Sequence, residues 1–315
     1  MPFVIPVLMA LFFTVISVDA LELSVTPVIQ YGYTAYQIGG NTVDANGDTG
    51  TLHSPISELK FPVNGPLIEA KVTHTFKSKK ISVTAKAYTD FSSQAFGYME
   101  DSDWGVEALL LNNDADTDQL EIFSKSSTTA DFSGGDVMID AIIGHTKHQT
   151  TRLSIGYRTN YFSFVSSDLN QYYLTSYLQT IYGDSLTIDG EVLTYKATYT
   201  LPYIGLSVTQ DYNTTTMALS GFLSPVATVT DEDDHVLRSK LSIATSYGWA
   251  AWAEGSFAMR LKSENTINIG ARVFLLEATG IQAQYSDYNG TLSGTIENRI
   301  EALQMSVFAD YQLFF

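Results

Sequence analysis

Hydrophobic and polar residues alternate with a period of two along most of the chain. Segment 241–259 places large apolar side chains at odd positions, and segments 81–91 and 303–315 alternate in the same way. Because successive side chains of a strand point to opposite faces, each segment is predicted to be a strand with one apolar face. Runs of this length exceed the usual strand of a soluble sandwich and are typical of membrane-spanning strands.

Short turns alternate with long polar connections between these strands. The predicted short turns are 77–80, 147–151, 211–214 and 262–265, and the predicted long loops are 39–55, 99–131, 167–188, 230–238 and 287–297. Four short turns and five long loops join about ten strands and leave both ends on the periplasmic side. The predicted fold is therefore all-β, a transmembrane antiparallel β-barrel that extends above the membrane on the extracellular side. The last segment ends on the aromatic Phe315, which is typical of bacterial outer-membrane barrels.

The first twenty residues form an apolar run that ends in Val18-Asp19-Ala20. Such a run with small residues at its end predicts a signal peptide over 1–20, which leaves 21–315 as a single outer-membrane β-barrel domain. The run has no Lys or Arg at its start, so an uncleaved transmembrane helix is the competing interpretation. Nothing polar enough to stop transfer follows Ala20, and this favours export.

The composition of the chain excludes several kinds of site and partner. The chain has no cysteine, which excludes thiolate metal sites, cysteine nucleophiles and disulfides. Its formal net charge of −17 argues against nucleic acid as a partner and favours cationic ligands. Two acidic stretches, 44–48 and 114–118, begin like calcium loops but lack the Gly and Glu that such loops need, so no metal site is expected.

Two acidic clusters carry the candidate chemistry, Asp101–Trp104 and Asp231–His235. Strand counting places both roughly twenty residues above periplasmic turns, hence at a similar height. They lie four strands apart in a barrel of about ten, which puts them on nearly opposite walls of the lumen. A facing carboxylate pair can hold a water, and a His near an Asp can act as a base oriented by that carboxylate. The clusters predict either water activation for peptide hydrolysis or, as the alternative, solvated loop acids.

The register of the strands sets a condition on this hypothesis. Odd positions face lipid in the lower halves of both strands, so regular pairing would turn both clusters outward. A one-residue slip is therefore needed in each strand. Gly97 and Pro225 are the predicted positions of the two β-bulges.

Several stretches resemble a known family. Pro202–Leu206, followed without a gap by Asp231–His235, resembles the omptins, the aspartate–histidine endopeptidases of Gram-negative outer membranes. Ile56–Lys60 is similar to their Ser-x-Leu stretch, and Asp101–Trp104 matches their Asp-x-Asp-Trp. The resemblance covers the whole mature chain and implies an outer-membrane endopeptidase whose active site faces outside the cell.

The resemblance also implies a role for each member of the two clusters. Asp233 and His235 would be the catalytic dyad, and Asp101 and Asp103 would be the couple on the other wall, with the attacking water between His235 and Asp101. Asp231 would lie at the base of a pocket for a basic side chain, where it would bind the substrate by charge-assisted hydrogen bonds. The expected partners are peptide or protein substrates of cationic character and the lipid of the outer membrane.

Two departures from the family pattern qualify these expectations. The position that holds a Glu partner of Asp231 in the family is expected to hold Tyr36, which predicts relaxed or shifted specificity. Tyr157 matches the lipopolysaccharide site of the family, but Thr159, Tyr161 and Thr198 stand where charges would be expected. No cofactor is expected, and lipopolysaccharide is kept as a candidate requirement for activity. The alternative function is a non-catalytic barrel of the same architecture that acts as a narrow pore or surface adhesin.

Overall fold

The computed structural model describes residues 21–76, 80–90, 94–111, 118–261, 265–286 and 290–312. The predicted signal peptide, most of the predicted turns at 77–80 and 262–265, and Phe315 lie outside these residues. Within the described ranges, no helix combines the length and the apolar character that crossing a membrane requires.

The architecture is an antiparallel sheet that closes on itself. Its strands are β1 (Leu21–Asp44), β2 (Thr49–Pro62), β3 (Gly65–Thr75), β4 (Ile81–Asp90), β5 (Gln94–Trp104), β6 (Leu120–His145), β7 (Gln149–Tyr173), β8 (Ser185–Tyr212), β9 (Thr215–His235), β10 (Lys240–Arg260), β11 (Thr266–Ser286) and β12 (Thr291–Gln312). Short helices span Val106–Leu111 and Ser176–Tyr182, and a 3₁₀ turn spans Val236–Arg238. Pairing of β12 with β1 closes the barrel and leaves no open sheet edge.

The twelve strands occupy ten wall positions, which accounts for the prediction of about ten strands. β2 and β3 share one wall position, because both pair with β1. β4 and β5 share another, because both pair with β6. Pro62 ends β2, because proline has no N–H to donate to the ladder. Just beyond it, Asn64 Oδ1 accepts a hydrogen bond from Gly32 N at 2.8 Å, so this donor of β1 is paired where β2 ends and β3 has not yet begun.

The predicted long loops are largely strand. β1 and β2 remain paired up to Val43 and Thr49, and β9 continues to His235, so the loop predictions for 39–55 and 230–238 were wrong. Continued pairing satisfies the backbone polar groups of two antiparallel neighbours even where their side chains are polar. The strands therefore rise as a paired wall above the membrane.

The outer wall shows where the membrane ends. Large apolar side chains are exposed on its lower part, among them Leu23, Val25, Ile29, Ile155, Leu206, Leu219, Leu223 and Val307. Above them lies a collar of outward charged residues, comprising Glu58, Lys60, Glu100, Lys125, Lys196, Glu232, Glu277, Arg299 and Glu301. Lys196 Nζ lies 2.9 Å from Glu232 Oε1, and Arg299 Nη2 lies 2.9 Å from Glu277 Oε1. Charged side chains are costly in hydrocarbon, so the collar lies above the membrane.

Buried aromatic rings cross the lumen just below the collar. We call this set the aromatic layer; its members are Phe61, Phe132, Phe162, Phe164, Tyr195, Tyr199 and Phe274. Ring centroids lie 4.8 Å apart for Phe61 and Phe164, and 4.7 Å apart for Phe61 and Tyr195. Toward the periplasm, a polar cavity of about 290 Å³ is lined mainly by hydroxyl-bearing side chains such as Thr84 and Ser154. The aromatic layer separates this cavity from the extracellular part of the lumen.

The predicted bulge in β9 is confirmed. Ala227 pairs with Gly248 and Ser224 pairs with Ala250, so Pro225 and Val226 together oppose a single residue of β10. Leu219 and Leu223 point outward below the bulge, whereas Asp231 and Asp233 are buried above it. The extra residue turns the odd positions from the lipid face to the lumen.

The predicted bulge near Gly97 in β5 is also confirmed. The pairing with β6 shifts between Gln94 and Tyr98, and Gly97 has a φ of 153°, a conformation that favours glycine. Beyond the shift, Tyr98 is exposed and Met99 is 1% exposed, so odd positions now face the lumen. Both acidic clusters therefore point inward, as the hypothesis of a site required.

Candidate active site

The carboxylates of β5 form one side of the site. Asp101 and Asp103 share the inward face, and Asp101 Oδ1 is buried without a hydrogen-bond partner among the described residues. Asp103 lies opposite Ser57 of β2, whose hydroxyl donates a hydrogen bond to the Asp103 carboxylate. Glu100, one position away, lies on the collar outside, with Lys125 Nζ at 3.2 Å.

The charges show that the two clusters face the same space. Burial raises the pKa of Asp101 well above its ordinary value; Asp103 raises it further, and so does Asp233 from the other wall. Burial also raises the pKa of Asp103, although the Ser57 hydrogen bond and the positive charge of Arg238 act to lower it. Two neighbouring buried carboxyl groups resist double ionisation, so the pair holds its last proton to a higher pH than an isolated carboxyl group would.

On the opposite wall, β9 places Asp233 and His235 side by side. Their positions are two apart in the strand, so both side chains lie on the lumen face. His235 Nε2 lies 3.0 Å from Asp233 Oδ2, and the two side chains are 19% and 3% exposed. The buried carboxylate orients the imidazole by one ring nitrogen, which leaves Nδ1 as the nitrogen that can accept a proton from the lumen.

Below this pair lies a group of three buried polar residues, which we call the Asp231 pocket: Asp231 of β9, Tyr36 of β1 and Tyr195 of β8. Their relative exposures are 4%, 3% and 0%. Both carboxylate oxygens of Asp231 and both phenol oxygens lack a hydrogen-bond partner among the described residues. Burial, and secondarily the charge of Asp233, raises the pKa of Asp231 to about 7.

Tyr36 is buried on the inward face of β1, within electrostatic reach of both Asp233 and Asp231. Burial raises the pKa of the Tyr36 phenol well above its ordinary value, and the charges of Asp233 and Asp231 raise it further. A neutral hydroxyl therefore stands beside Asp231 in place of the second carboxylate that the family pattern predicts.

Sequence reasoning missed three residues near the site: Tyr195, Arg238 and Lys240. Tyr195 belongs to the inward series of β8, and this alternation was a signal that could have identified it. The positive charges of Arg238, in the predicted loop 230–238, and of Lys240, the first residue of β10, act on Asp103. Only the three-dimensional course of the chain after His235 brings them to the other cluster.

The acidic stretch 44–48, which begins like a calcium loop, caps a turn. In the described part of the chain, no three His, Cys, Asp or Glu side chains are grouped so as to hold a metal ion. Asp44 Oδ1 accepts hydrogen bonds from Asn46 N at 2.8 Å and Asp48 N at 2.9 Å, which caps a turn. Asp114 and Asp116 lie outside the described residues.

The outer wall carries the residues compared with the lipopolysaccharide site. Tyr157 and Tyr161 are exposed on β7, and Tyr161 lies opposite Thr198 of β8. These positions offer aromatic and hydroxyl groups to lipid. The influence of lipopolysaccharide on activity stays a prediction.

The raised pKa of Asp231 has a consequence for stability. A buried carboxyl group with a folded-state pKa of about 7 favours the folded state below the unfolded value of about 4, and this contribution is lost as the pH rises through about 7. Asp231→Asn is therefore expected to increase stability at pH 8 and to change it little at pH 4. Urea titrations of the refolded barrel at the two pH values measure this difference. Glu232→Gln on the collar is the matched control, and an equal effect of both substitutions at pH 8 would contradict the prediction.

Comparison with known proteins identifies the family. A family model described as the Omptin family matches residues 43–289. The chain belongs to the omptin family. The membership confirms the predicted outer-membrane β-barrel and its location in the outer membrane of Gram-negative bacteria, and it supports an outer-membrane protease.

A solved structure agrees with this fold. The outer membrane protease OmpT from Escherichia coli has a TM-score of 0.72 at 16% identity, with 95% of this omptin and 99% of that chain covered. The outer membrane protein OprG from Pseudomonas aeruginosa matches with a TM-score of 0.31 at 8% identity, covering 95% of this chain and 100% of its own. No curated protein matches the sequence.

Proposed function

We propose that this omptin is a cell-surface endopeptidase that hydrolyses peptide bonds with a water held between its two acidic clusters. The observation that carries the proposal is the contact of 3.0 Å between His235 Nε2 and Asp233 Oδ2, on a wall that faces a buried carboxylate pair. Both halves lie at the height of the charged collar, above the membrane. The family membership supports the same class of reaction.

In the proposed mechanism His235 is the general base. It takes a proton from the water, and the oxygen attacks the carbonyl carbon of the scissile peptide bond. Asp233 stabilises the imidazolium that forms, while Asp101 and Asp103 bind the water and orient it. The tetrahedral intermediate collapses when the C–N bond breaks, and the imidazolium returns its proton to the leaving amine. The enzyme forms no covalent intermediate with its substrate.

The pocket side chains indicate the substrate class. Asp231 lies on the same strand face as the pair that activates water, two positions further from the mouth. A carboxylate there attracts a cationic side chain next to the bond that is cut. The aromatic layer argues against the alternative of a narrow pore, because its stacked rings occupy the part of the lumen that a pore would need.

The experiment that tests the proposal uses the wild-type barrel refolded with lipopolysaccharide and a library of peptides. We expect internal cleavage, detected by mass spectrometry as paired fragments whose masses sum to that of the peptide plus one water. Parallel planar-bilayer recordings measure conductance. Steady conductance without any cleavage would overturn the proposal in favour of a narrow pore.

A further inference from the structure

Four acidic side chains face the space in which the proposed reaction takes place. Asp101 and Asp103 face it from β5, and Asp231 and Asp233, which are 4% and 2% exposed, face it from β9. Hydrolysis adds a further negative charge there, because the π electron pair of the carbonyl moves to its oxygen when the water oxygen bonds to the carbon. Ionised carboxylates repel this oxyanion, so a positively charged donor close to it would speed the reaction.

Lys240 is a cation on the lumen face of the strand beside the catalytic dyad. The pairing of β10 with β9 is regular along this part of the wall. The even positions of β10 point inward, since Ser242, Ala244 and Ser246 are 1%, 4% and 0% exposed. Lys240 belongs to the same series and is the direct cross-strand partner of His235. The Cβ atoms of such a pair lie about 5 Å apart, so the register holds the lysine next to the general base.

The charges around Lys240 show that its ammonium group reaches both walls of the site. Burial lowers the pKa of Lys240; the charge of Asp233 on β9 acts to raise it, that of Arg238 lowers it, and that of Asp103 on β5 raises it. Among the described residues, Lys240 forms no ion pair with a carboxylate. An ammonium has three N–H donors, and here they are available to a ligand that lies between the two clusters.

We propose that Lys240 is a catalytic residue whose ammonium group donates a hydrogen bond to the oxyanion of the tetrahedral intermediate. The inference rests on the proposed function, because it names the group that stabilises the intermediate of that reaction. As the C–N bond breaks, the electron pair on the oxyanion re-forms the carbonyl group, and the leaving amine takes its proton from the imidazolium of His235. Lys240 keeps its three protons throughout.

Arg238 is the other cation near the two clusters, but its position suits this role less well. It ends the 3₁₀ turn Val236–Arg238 and is exposed to solvent, whereas Lys240 is partly buried. A charge in water is strongly screened, and a charge held in a partly buried position stabilises a developing anion more effectively. We therefore expect Arg238 to contribute less than Lys240 to the rate.

The test compares refolded full-length variants on one peptide that the wild type cleaves. Lys240→Met should lower kcat by about a hundredfold and leave KM nearly unchanged, because an oxyanion donor acts on the transition state and not on the bound substrate. Lys240→Arg should recover part of the loss, and Arg238→Met should lower kcat much less than Lys240→Met does. Lys196→Met, on the collar beside Glu232, is the matched control and should retain wild-type kinetics.

A second measurement separates stabilisation of the oxyanion from a structural role. The probe is the same peptide with a phosphinate group in place of the scissile amide, which carries a tetrahedral anion where the intermediate would form. Calorimetry is done in the His235→Ala background, in which the unmodified peptide is not expected to be cut. Lys240→Met should weaken binding of the phosphinate peptide by about a hundredfold and change binding of the unmodified peptide little.

The outcomes separate the inference from the function on which it rests. Cleavage by Lys240→Met at the wild-type kcat, or an equal loss of affinity for both peptides, would overturn the role of Lys240 and leave the endopeptidase in place. A larger loss in Arg238→Met than in Lys240→Met would also overturn it. Absence of any cleavage by the wild type would overturn the endopeptidase and the role of Lys240 together. Heat-modifiable migration on gels establishes that each variant is folded, and Lys240→Gln replaces Lys240→Met if the latter does not fold.

Discussion

His235→Ala is expected to lower kcat/KM for peptide cleavage by about a thousandfold, within the range that general bases contribute. The imidazole lies 3.0 Å from Asp233, and no other described residue of the site combines a neutral proton acceptor with a buried carboxylate that orients it. Asp233→Asn should lower the rate through the same proton transfer, because an amide stabilises an imidazolium poorly. The two losses should therefore not multiply in the double variant.

Purified variants assayed on one cleavable peptide measure these losses, with KM and kcat determined separately. A base acts on the chemical step, so the loss should fall on kcat. Glu232→Gln, whose side chain lies on the outer wall beside Lys196, is the matched control and should retain wild-type kinetics. Cleavage that persists in His235→Ala at the wild-type rate would eliminate the assigned mechanism.

Asp101→Asn is the second substitution with a large expected effect, a loss of roughly a hundredfold or more in kcat. Its carboxyl group is buried and lies beside Asp103. The charges of Asp103 and, across the lumen, of Asp233 raise its pKa further. An amide in its place keeps the shape but changes both the charge and the hydrogen bonds offered to the attacking water. Asp103→Asn should show a related loss, because Asp103 completes the pair.

Asp101→Asn is expected to raise the stability of the barrel at alkaline pH while it lowers the activity. The folded-state pKa of Asp101 is raised, so its contribution favours folding at low pH and is lost as the pH rises through that raised value. Asp101→Asn should therefore unfold at a higher urea concentration than wild type at alkaline pH while cleaving far more slowly. Glu100→Gln, on the outer face of the same strand, should change neither property much. A parallel loss of stability and activity in Asp101→Asn would indicate a structural role instead.

The fold followed from the sequence because a membrane barrel repeats one simple rule. Alternation of apolar and polar residues predicted the strands, and the arithmetic of turns predicted ten wall positions. The two interrupted wall positions, at Pro62–Asn64 and between β4 and β5, were not predicted, because a break of two or three residues hardly disturbs a period-two pattern. The long loops were overpredicted for a related reason: polar strands above the membrane have no apolar face to mark them.

The sequence predicted those residues of the site that lie in the two short stretches Asp101–Trp104 and Asp231–His235. Gly97 and Pro225 could be identified as bulges because the lipid face and the acidic clusters demanded opposite registers on the same strand. Alternation along β8 places Tyr195 on the inward face, but it does not distinguish Tyr195 from the other inward aromatic residues of that strand. Its closeness to Asp231 depends on the register between β8 and β9, which places Tyr195 opposite Asp233 and Ala197 opposite Asp231.

The aromatic layer has a consequence for the cell that carries this protein. An outer membrane excludes toxic solutes only where its barrels do not let them pass. The stacked rings fill the lumen beneath the two acidic clusters, so the residues above them can change without opening a channel through the barrel. Mutations above the aromatic layer can therefore alter the substrate preference of the protein while the bacterium keeps its permeability barrier.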